Sequence, residues 1–386
     1  MTTMAHILDI LFKRYYDEKG TAATIGGIQT YITNLAHLAV RCGWQVRILQ
    51  FTEQHVCKEI GKGIQLIGFA SHQSQRTPDK LYARTTASRN DTDHYLTLFA
   101  TDTQLPHQHV SHAIAIQHGI CWDIDDGLQR SLIRNVASKA IDAYQRLRRL
   151  QNVDVVVCVD HHFIGWYRTQ VHHICQRLVP IMNFTRIDPH LPEKQHHDDC
   201  VRIVFARRFF PYRGTRLFAK ALHQLLTEQL PIEVTLAGDG PDKDWLQEQF
   251  RAYPNVRFTQ YVAPDSLTFH AEFDIAVVPT IGSEGTSLSL LEAMAAQCAV
   301  VCTNVGGMTH IVIDGYNGLM VMPEEQALYR AIKLLVQDKA YRRSLAQRGF
   351  DTVKNAFSLD VWEEKWEKLL LEMWPKAQRE TGETPV

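Results

Sequence analysis

Two glutamates separated by seven residues mark the most informative stretch of the chain, PTIGSEGTSLSLLEAMA at positions 279–295. Glu292 falls inside an apolar helical pattern, and a glutamate is rarely buried without a partner such as a sugar diol. Glu284 falls in the turn before that helix, where the helix dipole favours any acidic residue. The pattern therefore predicts a hydroxyl-binding carboxylate at Glu292, and it leaves open whether Glu284 binds a ligand or only begins a helix.

The turn between the two glutamates predicts an anion site. In an open α/β sheet, ligands bind at the carboxyl ends of the strands, where the free N–H groups of a helix start attract negative charge. A diphosphate would fit on the backbone amides of the four residues that begin this helix, which are Gly285, Thr286, Ser287 and Leu288.

A second polar stretch, FARRFFPYRG at 205–214, also follows a predicted strand directly. Guanidinium groups pair bidentately with phosphate oxygens, so Arg208 and Arg213 together could neutralise a diphosphate. A solvated basic loop is the alternative interpretation, because arginines are common on protein surfaces.

Glycine clusters follow several strands and would permit close approach of the backbone to a ligand. They are Gly26-Gly27, GDGP at 238–241 and Gly306-Gly307. The dinucleotide fingerprint GxGxxG and the phosphate-binding loop GxxxxGK[ST] are both missing from the sequence, which argues against a dehydrogenase and a P-loop enzyme.

The elements that must position these residues alternate between strand and helix, which is typical of α/β folds with parallel sheets. The polar tract at 71–93 has no period and is predicted to be a surface loop. A proline-bearing polar stretch at 180–199 resembles a linker between two folded units. Strands are predicted at 5–11, 44–50, 113–119, 152–160, 200–206, 233–238, 256–258, 274–279 and 299–303, with helices at 28–39 and 127–150 and from about 214, 242 and 286. The predicted domains are 1–185, 186–358 and a final helix with its tail at 359–386.

The composition is that of an ordinary globular protein, with 41 basic and 42 acidic residues among 386. This balance gives no indication of nucleic-acid binding. The first twenty residues lack the features of a signal peptide, and no apolar run is long enough to span a bilayer. A cytoplasmic location is expected, with a peripheral membrane contact left open.

The eight cysteines contain no CxxC pair and are predicted to be reduced core residues. Histidine doublets at 161–162, 172–173 and 196–197 raise the alternative of a zinc site, but none has the spacing of a paired-ligand motif. No metal and no other cofactor is predicted.

The Glu284-x7-Glu292 pattern, with VGG at 305–307 and DGYNGL at 314–319, resembles the donor-site signature of the retaining glycosyltransferases of family 4. Gly26-Gly27 is similar to that family's N-terminal glycine motif, and His118-Gly119 to its strand-end histidine. Arg208 and Arg213 are similar to its paired arginine and lysine. The resemblance implies the GT-B fold, in which two Rossmann-like domains face each other across a cleft and a C-terminal helix crosses back to the N-terminal domain.

The resemblance also implies roles for individual residues. Glu292 would hold the donor ribose, Glu284 and His118 the transferred sugar, and Arg208 with Arg213 the leaving diphosphate. Further donor contacts would come from Gly26, Gly27, Gly238, Tyr261, Val262, Gly285, Thr286, Ser287 and Leu288. Two departures stand out, since Arg213 replaces the family's lysine and Arg207 replaces its glycine. These departures leave open whether Arg207 or Arg208 binds phosphate.

By this resemblance the chain would transfer a hexose from a nucleotide diphosphate sugar to a glycan or lipid-linked acceptor, without a metal, in cell-surface polysaccharide assembly. Its partners would be that donor and that acceptor, and neither the nucleotide, the acceptor nor the oligomeric state is predicted. Two alternatives stay open, a nucleotide-sugar epimerase of the same fold and a non-catalytic nucleotide-sugar-binding scaffold.

Overall fold

The computed structural model describes residues 4–24, 26–120, 132–171, 173–174, 176–191, 200–261, 265–282 and 284–374. Within them the chain forms two sheets with helices packed on both, so the predicted α/β class is confirmed.

The first sheet has eight strands in the order β3-β4-β2-β1-β5-β6-β7-β8. All neighbours are parallel except β3, which pairs antiparallel with β4. Every residue of the central strand β1 is buried, as a sheet covered on both faces requires. The strands are β1 (His6–Leu11), β2 (Gln45–Thr52), β3 (Val56–Gly61), β4 (Ile64–Ala70), β5 (His94–Phe99), β6 (Val110–Gln117), β7 (Val153–Cys158) and β8 (Arg177–Pro180).

Within the described residues, the helices that connect these strands are α1 (Gly27–Arg41), α2 (Pro78–Ala87), α3 (Leu132–Leu150) and α4 (His161–Gln170). The prediction of a loop over 71–93 is wrong, because α2 lies inside it. The Thr77 side chain accepts a hydrogen bond from the Lys80 amide, and Pro78 occupies the first helical turn, so the helix start is well capped. Burial of Leu81 fixes the helix to the sheet.

The second sheet has six parallel strands in the order β11-β10-β9-β12-β13-β14. They are β9 (Val201–Ala206), β10 (Ile232–Ala237), β11 (Val256–Thr259), β12 (Ile275–Val278), β13 (Ala299–Thr303) and β14 (Leu319–Val321). The helices of this half are α5 (Thr215–Thr227), α6 (Lys243–Phe250), α7 (Ser266–Ala271), α8 (Leu288–Ala295), α9 (Glu325–Gln337) and α10 (Lys339–Ala356).

Strand order reverses at one point in each sheet, between β1 and β5 in the first and between β9 and β12 in the second. Loops leaving the two strands at such a point diverge and open a crevice at their carboxyl ends. The polar segments at 205–214 and 279–287 both lie at the crevice of the second sheet.

The last helix, α11 (Leu359–Glu372), returns to the first sheet. Trp362 and Trp366 are buried in the core of the first half, where the Trp366 indole donates a hydrogen bond to the Tyr31 hydroxyl at 2.8 Å. The predicted crossing helix and the GT-B fold are thus confirmed. The chain passes between the halves at two adjacent places, since the Thr185 amide donates to the Phe357 carbonyl at 3.0 Å. The domain boundaries at 185 and 358 stay a prediction.

The cysteines only partly fit the predicted core role. Cys42, Cys158, Cys298 and Cys302 are buried, but Cys57 is exposed, so the prediction is wrong there. Its strand β3 lies at the edge of the sheet, and its residues are either partly buried or exposed. Cys121 and Cys175, with His172 and the 196–197 histidine doublet, lie outside the described residues. Across the described part of the chain, no helix is long and apolar enough to cross a membrane.

Candidate active site

Glu284 is held by three hydrogen-bond donors that all reach the same carboxylate oxygen. Oε2 accepts from Arg207 Nη2 at 2.5 Å, from Arg213 Nη1, and from the Thr280 hydroxyl at 3.1 Å. Oε1 has no hydrogen-bond partner among the described residues, although only a tenth of the side chain is exposed. One oxygen is therefore anchored and the other is available to a ligand.

The charge of Glu284 is set by its two arginine partners. Burial by itself would raise the pKa of this carboxyl, but the guanidiniums of Arg207 and Arg213 outweigh burial and lower the pKa to about 2. At neutral pH the side chain is thus a carboxylate that only accepts hydrogen bonds. A neutral hydroxyl that donates to Oε1 fits this arrangement.

The two neighbouring arginines at the end of β9 point to different places. Arg207 is buried on Glu284 and Thr280, whereas Arg208 is exposed and lies over the Phe210 ring at 5.6 Å. The structure therefore brings Arg207 and Arg213 to Glu284, and it does not bring Arg208, which was the residue that sequence spacing favoured.

Two glycines lie directly against the backbone of these loops. A Cβ on Gly238 would collide with the Arg207 carbonyl, and the Arg207 amide donates to the Ala237 carbonyl at 3.0 Å. Gly306 adopts a φ of 54°, and a Cβ there would collide with the Glu284 carbonyl. Only glycine fits such a position without strain. These glycines hold the site loops in place.

The start of α8 lies where the two halves of the chain touch. Its N-cap residue Ser287 gives no side-chain hydrogen bond to the helix, so the first-turn amides are not capped by that side chain. The side chains of Thr286 and Ser287 are buried, which leaves the backbone of this segment as its polar surface. Free N–H groups at a helix start attract an anion.

Glu292 lies on α8 beside Ser266 and Tyr261. Burial raises the pKa of Glu292 to about 7, and a hydrogen bond with the Ser266 side chain offsets this only in part. Tyr261 stacks on Phe269 with ring centroids 4.5 Å apart. Burial, and next the nearby Glu292, raise the pKa of the Tyr261 hydroxyl. Val262 lies outside the described residues.

His118 is a titratable residue of the first half and directly follows β6. Its Nε2 lies 2.9 Å from the Ala100 carbonyl, which can only accept, so Nε2 carries the proton. Burial lowers the pKa of His118 to about 4. The ring is therefore neutral at pH 7, with Nδ1 as its hydrogen-bond acceptor.

The two halves touch close to these residues. The Thr286 hydroxyl donates to the Val159 carbonyl, and the Asn183 amide donates to the Thr286 carbonyl at 2.7 Å. A Cβ on Gly27 would lie 2.9 Å from a methyl of Leu288 in the other half. Gly26 precedes it as the N-cap residue of α1. A Cβ on Gly119 would lie 3.0 Å from the Gly285 nitrogen. Predicted residues from both halves thus meet in one contact region, which we call the seam.

Two polar residues near the site were missed by sequence reasoning. Asp160 caps α4 through a hydrogen bond from the Phe163 amide at 2.7 Å, while its other oxygen is buried without a partner near the Gly119–Gly285 contact. Gln50 accepts from the amides of Tyr15 and Tyr16 at 2.9 and 2.7 Å and holds the loop after β1. The only available signal was a polar residue at the end of an apolar strand.

No group of three or more His, Cys, Asp or Glu side chains in the described ranges is arranged to hold a metal ion. His161 contacts His310 of the other half, with ring centroids 5.8 Å apart, and the two do not form part of such a group.

Comparison with known proteins identifies the family. Residues 200–338 match the family described as Glycosyl transferases group 1. The lipopolysaccharide core biosynthesis glycosyltransferase LpsE of Rhizobium meliloti is 31% identical over 247 residues, which are 60% of this chain and 68% of that protein. The chain belongs to the group 1 glycosyltransferases.

Other proteins are similar to this chain over a shorter length or in structure alone. The glycogen synthase of Mycobacterium tuberculosis is 31% identical over 153 residues, which span 38% of this group 1 chain and only 37% of that enzyme. Among solved structures, the sucrose-phosphate synthase of Thermosynechococcus elongatus has a TM-score of 0.74 at 17% identity and covers 96% of this chain and 99% of that one. That structural likeness shows the shared fold.

Proposed function

We propose that the protein is a retaining, metal-independent hexosyltransferase that takes its sugar from a nucleotide diphosphate donor. The observation that carries this proposal is the geometry of Glu284, whose Oε2 is fixed by two arginines while Oε1 is open to a ligand. A permanently charged acceptor oxygen next to two cations and a helix start suits a sugar hydroxyl linked to a diphosphate.

The donor would lie along the edge of the second sheet. Glu292 would accept hydrogen bonds from the ribose hydroxyls, with the base near Tyr261. The diphosphate would rest on the amides of Gly285 to Leu288 and on Arg213. This order follows from the order of the groups along the site, since Glu292 lies within α8 and Glu284 precedes its start.

His118 would hold the transferred sugar from the first half. Its neutral ring offers Nδ1 as an acceptor without placing a second charge near the arginines. Contact of the Gly119 and Gly285 backbones next to it would exclude water from the reacting atoms.

The reaction would develop negative charge on the departing diphosphate. Fixed cations and helix amides stabilise such charge without reorganising during the step, and one hydrogen-bond donor of this kind typically contributes about 10²- to 10³-fold in rate. The acceptor hydroxyl would attack the face from which the diphosphate leaves, and a phosphate oxygen would take its proton. The bond configuration at the sugar would then be retained.

A glycan or lipid-linked acceptor in cell-surface polysaccharide assembly is proposed from the relatives. LpsE is named for the synthesis of a lipopolysaccharide core and is similar over 60% of this chain. We place the reaction in the cytoplasm, with peripheral attachment to the membrane where its acceptor is lipid-linked.

A thermal-shift screen tests the proposal. The full chain is mixed with UDP, GDP, ADP and their hexose conjugates in the presence of EDTA, and wild type is compared with Glu292→Ala. A ligand at a hundred times its dissociation constant adds about 2.7 kcal/mol of stability to the folded state. We expect one nucleotide to raise the melting temperature of wild type and not of the variant. A shift that appears only when a divalent metal is added would overturn metal independence, and no shift with any nucleotide would overturn the donor site.

A further inference from the structure

Arg207 and Arg213 both bind Glu284 Oε2, but they differ in how deeply they are held. The Arg207 side chain is 5% exposed and the Arg213 side chain 19%. Arg207 also donates from Nη1 to the Thr280 hydroxyl, which itself donates to Glu284 Oε2 at 3.1 Å. Arg207, Thr280 and Glu284 are therefore each hydrogen-bonded to the other two, whereas Arg213 is hydrogen-bonded within this group to Glu284 alone.

The backbone around Arg207 is as constrained as its side chain. Its amide donates to Ala237 at 3.0 Å, and its carbonyl lies where Gly238 leaves no room for a Cβ. The Arg213 backbone is also held, since its amide donates to the Phe210 carbonyl at 2.9 Å in the short turn Pro211–Arg213. Its guanidinium is the more exposed of the two and lies 5.1 Å from the Tyr212 ring. The two arginines therefore differ in how their side chains are held.

Two guanidiniums and one carboxylate leave one positive charge in excess at this point. A diphosphate that enters the site competes with Glu284 for these cations. Release of Arg207 would break its bonds to two buried partners, while release of Arg213 breaks one. Leaving a buried polar group unpaired is unfavourable, so the less costly exchange is the movement of Arg213.

We infer that Arg207 is a positioning residue, which stays on Glu284 Oε2 and Thr280 when donor binds and keeps Oε1 turned toward the sugar, while Arg213 moves to the diphosphate. This inference rests on the proposed function and deepens it, because it assigns sugar recognition to Arg207 and phosphate recognition to Arg213. The family resemblance implies a glycine at position 207, so this support of the carboxylate would be particular to chains with an arginine there.

The test separates nucleotide binding from sugar binding. Isothermal titration measures the affinity of the full chain for UDP, GDP and ADP, and for the glucose, galactose, mannose and N-acetylglucosamine conjugates of whichever nucleotide binds. The variants are Arg207→Gln, Arg213→Gln, Glu284→Gln and the Arg207/Glu284 double variant. Arg216→Gln is the matched control. The Arg216 side chain is 61% exposed and pairs with Asp242, so this variant also removes one arginine charge but leaves Glu284 and its partners unchanged.

In Arg207→Gln we expect nucleotide affinity to stay within about twofold of wild type while the affinity for the nucleotide sugar falls about tenfold. Glu284→Gln should show the same pattern. The double variant should lose little more sugar affinity than either single variant, because both changes remove the same interaction. Arg213→Gln should weaken nucleotide and nucleotide sugar by the same factor.

A pH series distinguishes positioning from general damage to the fold. Without the Arg207 guanidinium the pKa of Glu284 rises, so in Arg207→Gln the ratio of nucleotide-sugar affinity to nucleotide affinity should recover between about pH 5 and about pH 8, whereas in wild type this ratio should stay constant. Arg207→Lys keeps a charge and should lose less sugar affinity than Arg207→Gln.

Equal loss of nucleotide and nucleotide-sugar affinity in Arg207→Gln, of the size seen in Arg213→Gln, would show that Arg207 binds phosphate and would overturn the inference. An Arg207→Gln variant in which the ratio of nucleotide-sugar affinity to nucleotide affinity stays low at every pH would also overturn it. A wild-type chain that binds none of the nucleotides would instead overturn the proposed function.

Discussion

The two edges that face each other across the cleft are built from different chemistry. The second half presents permanent charges, with Glu284 between Arg207 and Arg213. The first half presents two neutral groups, with His118 uncharged at pH 7 and Gln50 holding the neighbouring loop through its amide, while its Asp160 carboxyl lies near Gly119. An anionic leaving group is best met by fixed charge, while a sugar hydroxyl can be held by neutral groups that cost less to bury. We therefore expect the two edges to respond differently to mutation and to pH.

The largest difference should appear when one residue of each edge is neutralised or shortened. Glu284→Gln should lower kcat/KM about 10²- to 10³-fold, because it removes both a sugar contact and the partner of two cations. His118→Ala should lower it only about tenfold, since a single neutral hydrogen bond is lost. Steady-state kinetics with the donor found by thermal shift checks both values. Equal losses would contradict the division between a charged and a neutral edge.

A stability measurement sharpens the comparison on the neutral side. Gln50→Leu leaves the amides of Tyr15 and Tyr16 without their acceptor, so we expect the free energy of unfolding to fall by about 2 kcal/mol. Urea denaturation gives this value, and Gln65→Leu on the exposed face of β4 is the matched control. A Gln50→Leu chain as stable as its control would show that these hydrogen bonds contribute little.

The pH dependence of nucleotide binding tests the charged side. Since the pKa of Glu292 is raised to about 7, its ionised fraction grows as the pH rises through that value. A carboxylate accepts from ribose hydroxyls, so affinity should be about tenfold weaker one unit below that pKa than well above it. Titration calorimetry at several pH values measures this, and Glu292→Gln should flatten the profile. A wild-type profile that is flat, or that weakens with rising pH, would contradict the assigned role.

The smallest expected effect concerns the seam between the two edges. Burial raises the pKa of Asp160 above its ordinary value of 3.8, with the hydrogen bond from Phe163 and then His162, His310 and His161 opposing the rise. The stability linked to this group is therefore present below that value and is lost as the pH rises through the raised pKa. Asp160→Asn keeps the helix cap and should be more stable than wild type by about 1 kcal/mol at pH 7.

Thermal unfolding at pH 7 and below pH 4 checks the Asp160 prediction. The difference between wild type and Asp160→Asn should shrink as the pH falls, because the wild-type carboxyl then becomes protonated. A variant that is less stable than wild type at pH 7 would show that the free carboxylate oxygen stabilises the seam.

The fold was largely predictable because buried parallel strands are apolar on both faces. The runs at 152–160 and 200–206 contain β7 and β9 for this reason. Strands β3, β4, β5, β8 and β14 were not predicted: β3, β8 and β14 lie at sheet edges, β5 begins with the exposed His94, and β4 contains Gly68. Helices α2, α4, α7, α9 and α10 were not predicted either, and the start signal of α2, Thr77-Pro78, lies in a polar tract.

The spacing of residues in the sequence predicted which positions form the candidate site, but not which side chains point into it. The two glutamates and Arg213 lie where their motifs indicate, yet the choice between Arg207 and Arg208 depends on which side chain the end of β9 directs inward. That direction is fixed by contacts of the Arg207 backbone with Gly238, a residue 31 positions away in a different loop. Asp160 and Gln50 were invisible because each acts through backbone partners that have no sequence signature.

The return of α11 to the first sheet has a consequence for the order in which the chain is built. Trp366 and Tyr31 are joined by a hydrogen bond although 335 positions separate them. During synthesis on a ribosome, the first sheet emerges early but stays without part of its core until the last helix leaves the exit tunnel. The second half, whose strands and helices are contiguous, can complete its own core before that moment. The half that is translated first is therefore the half that is finished last.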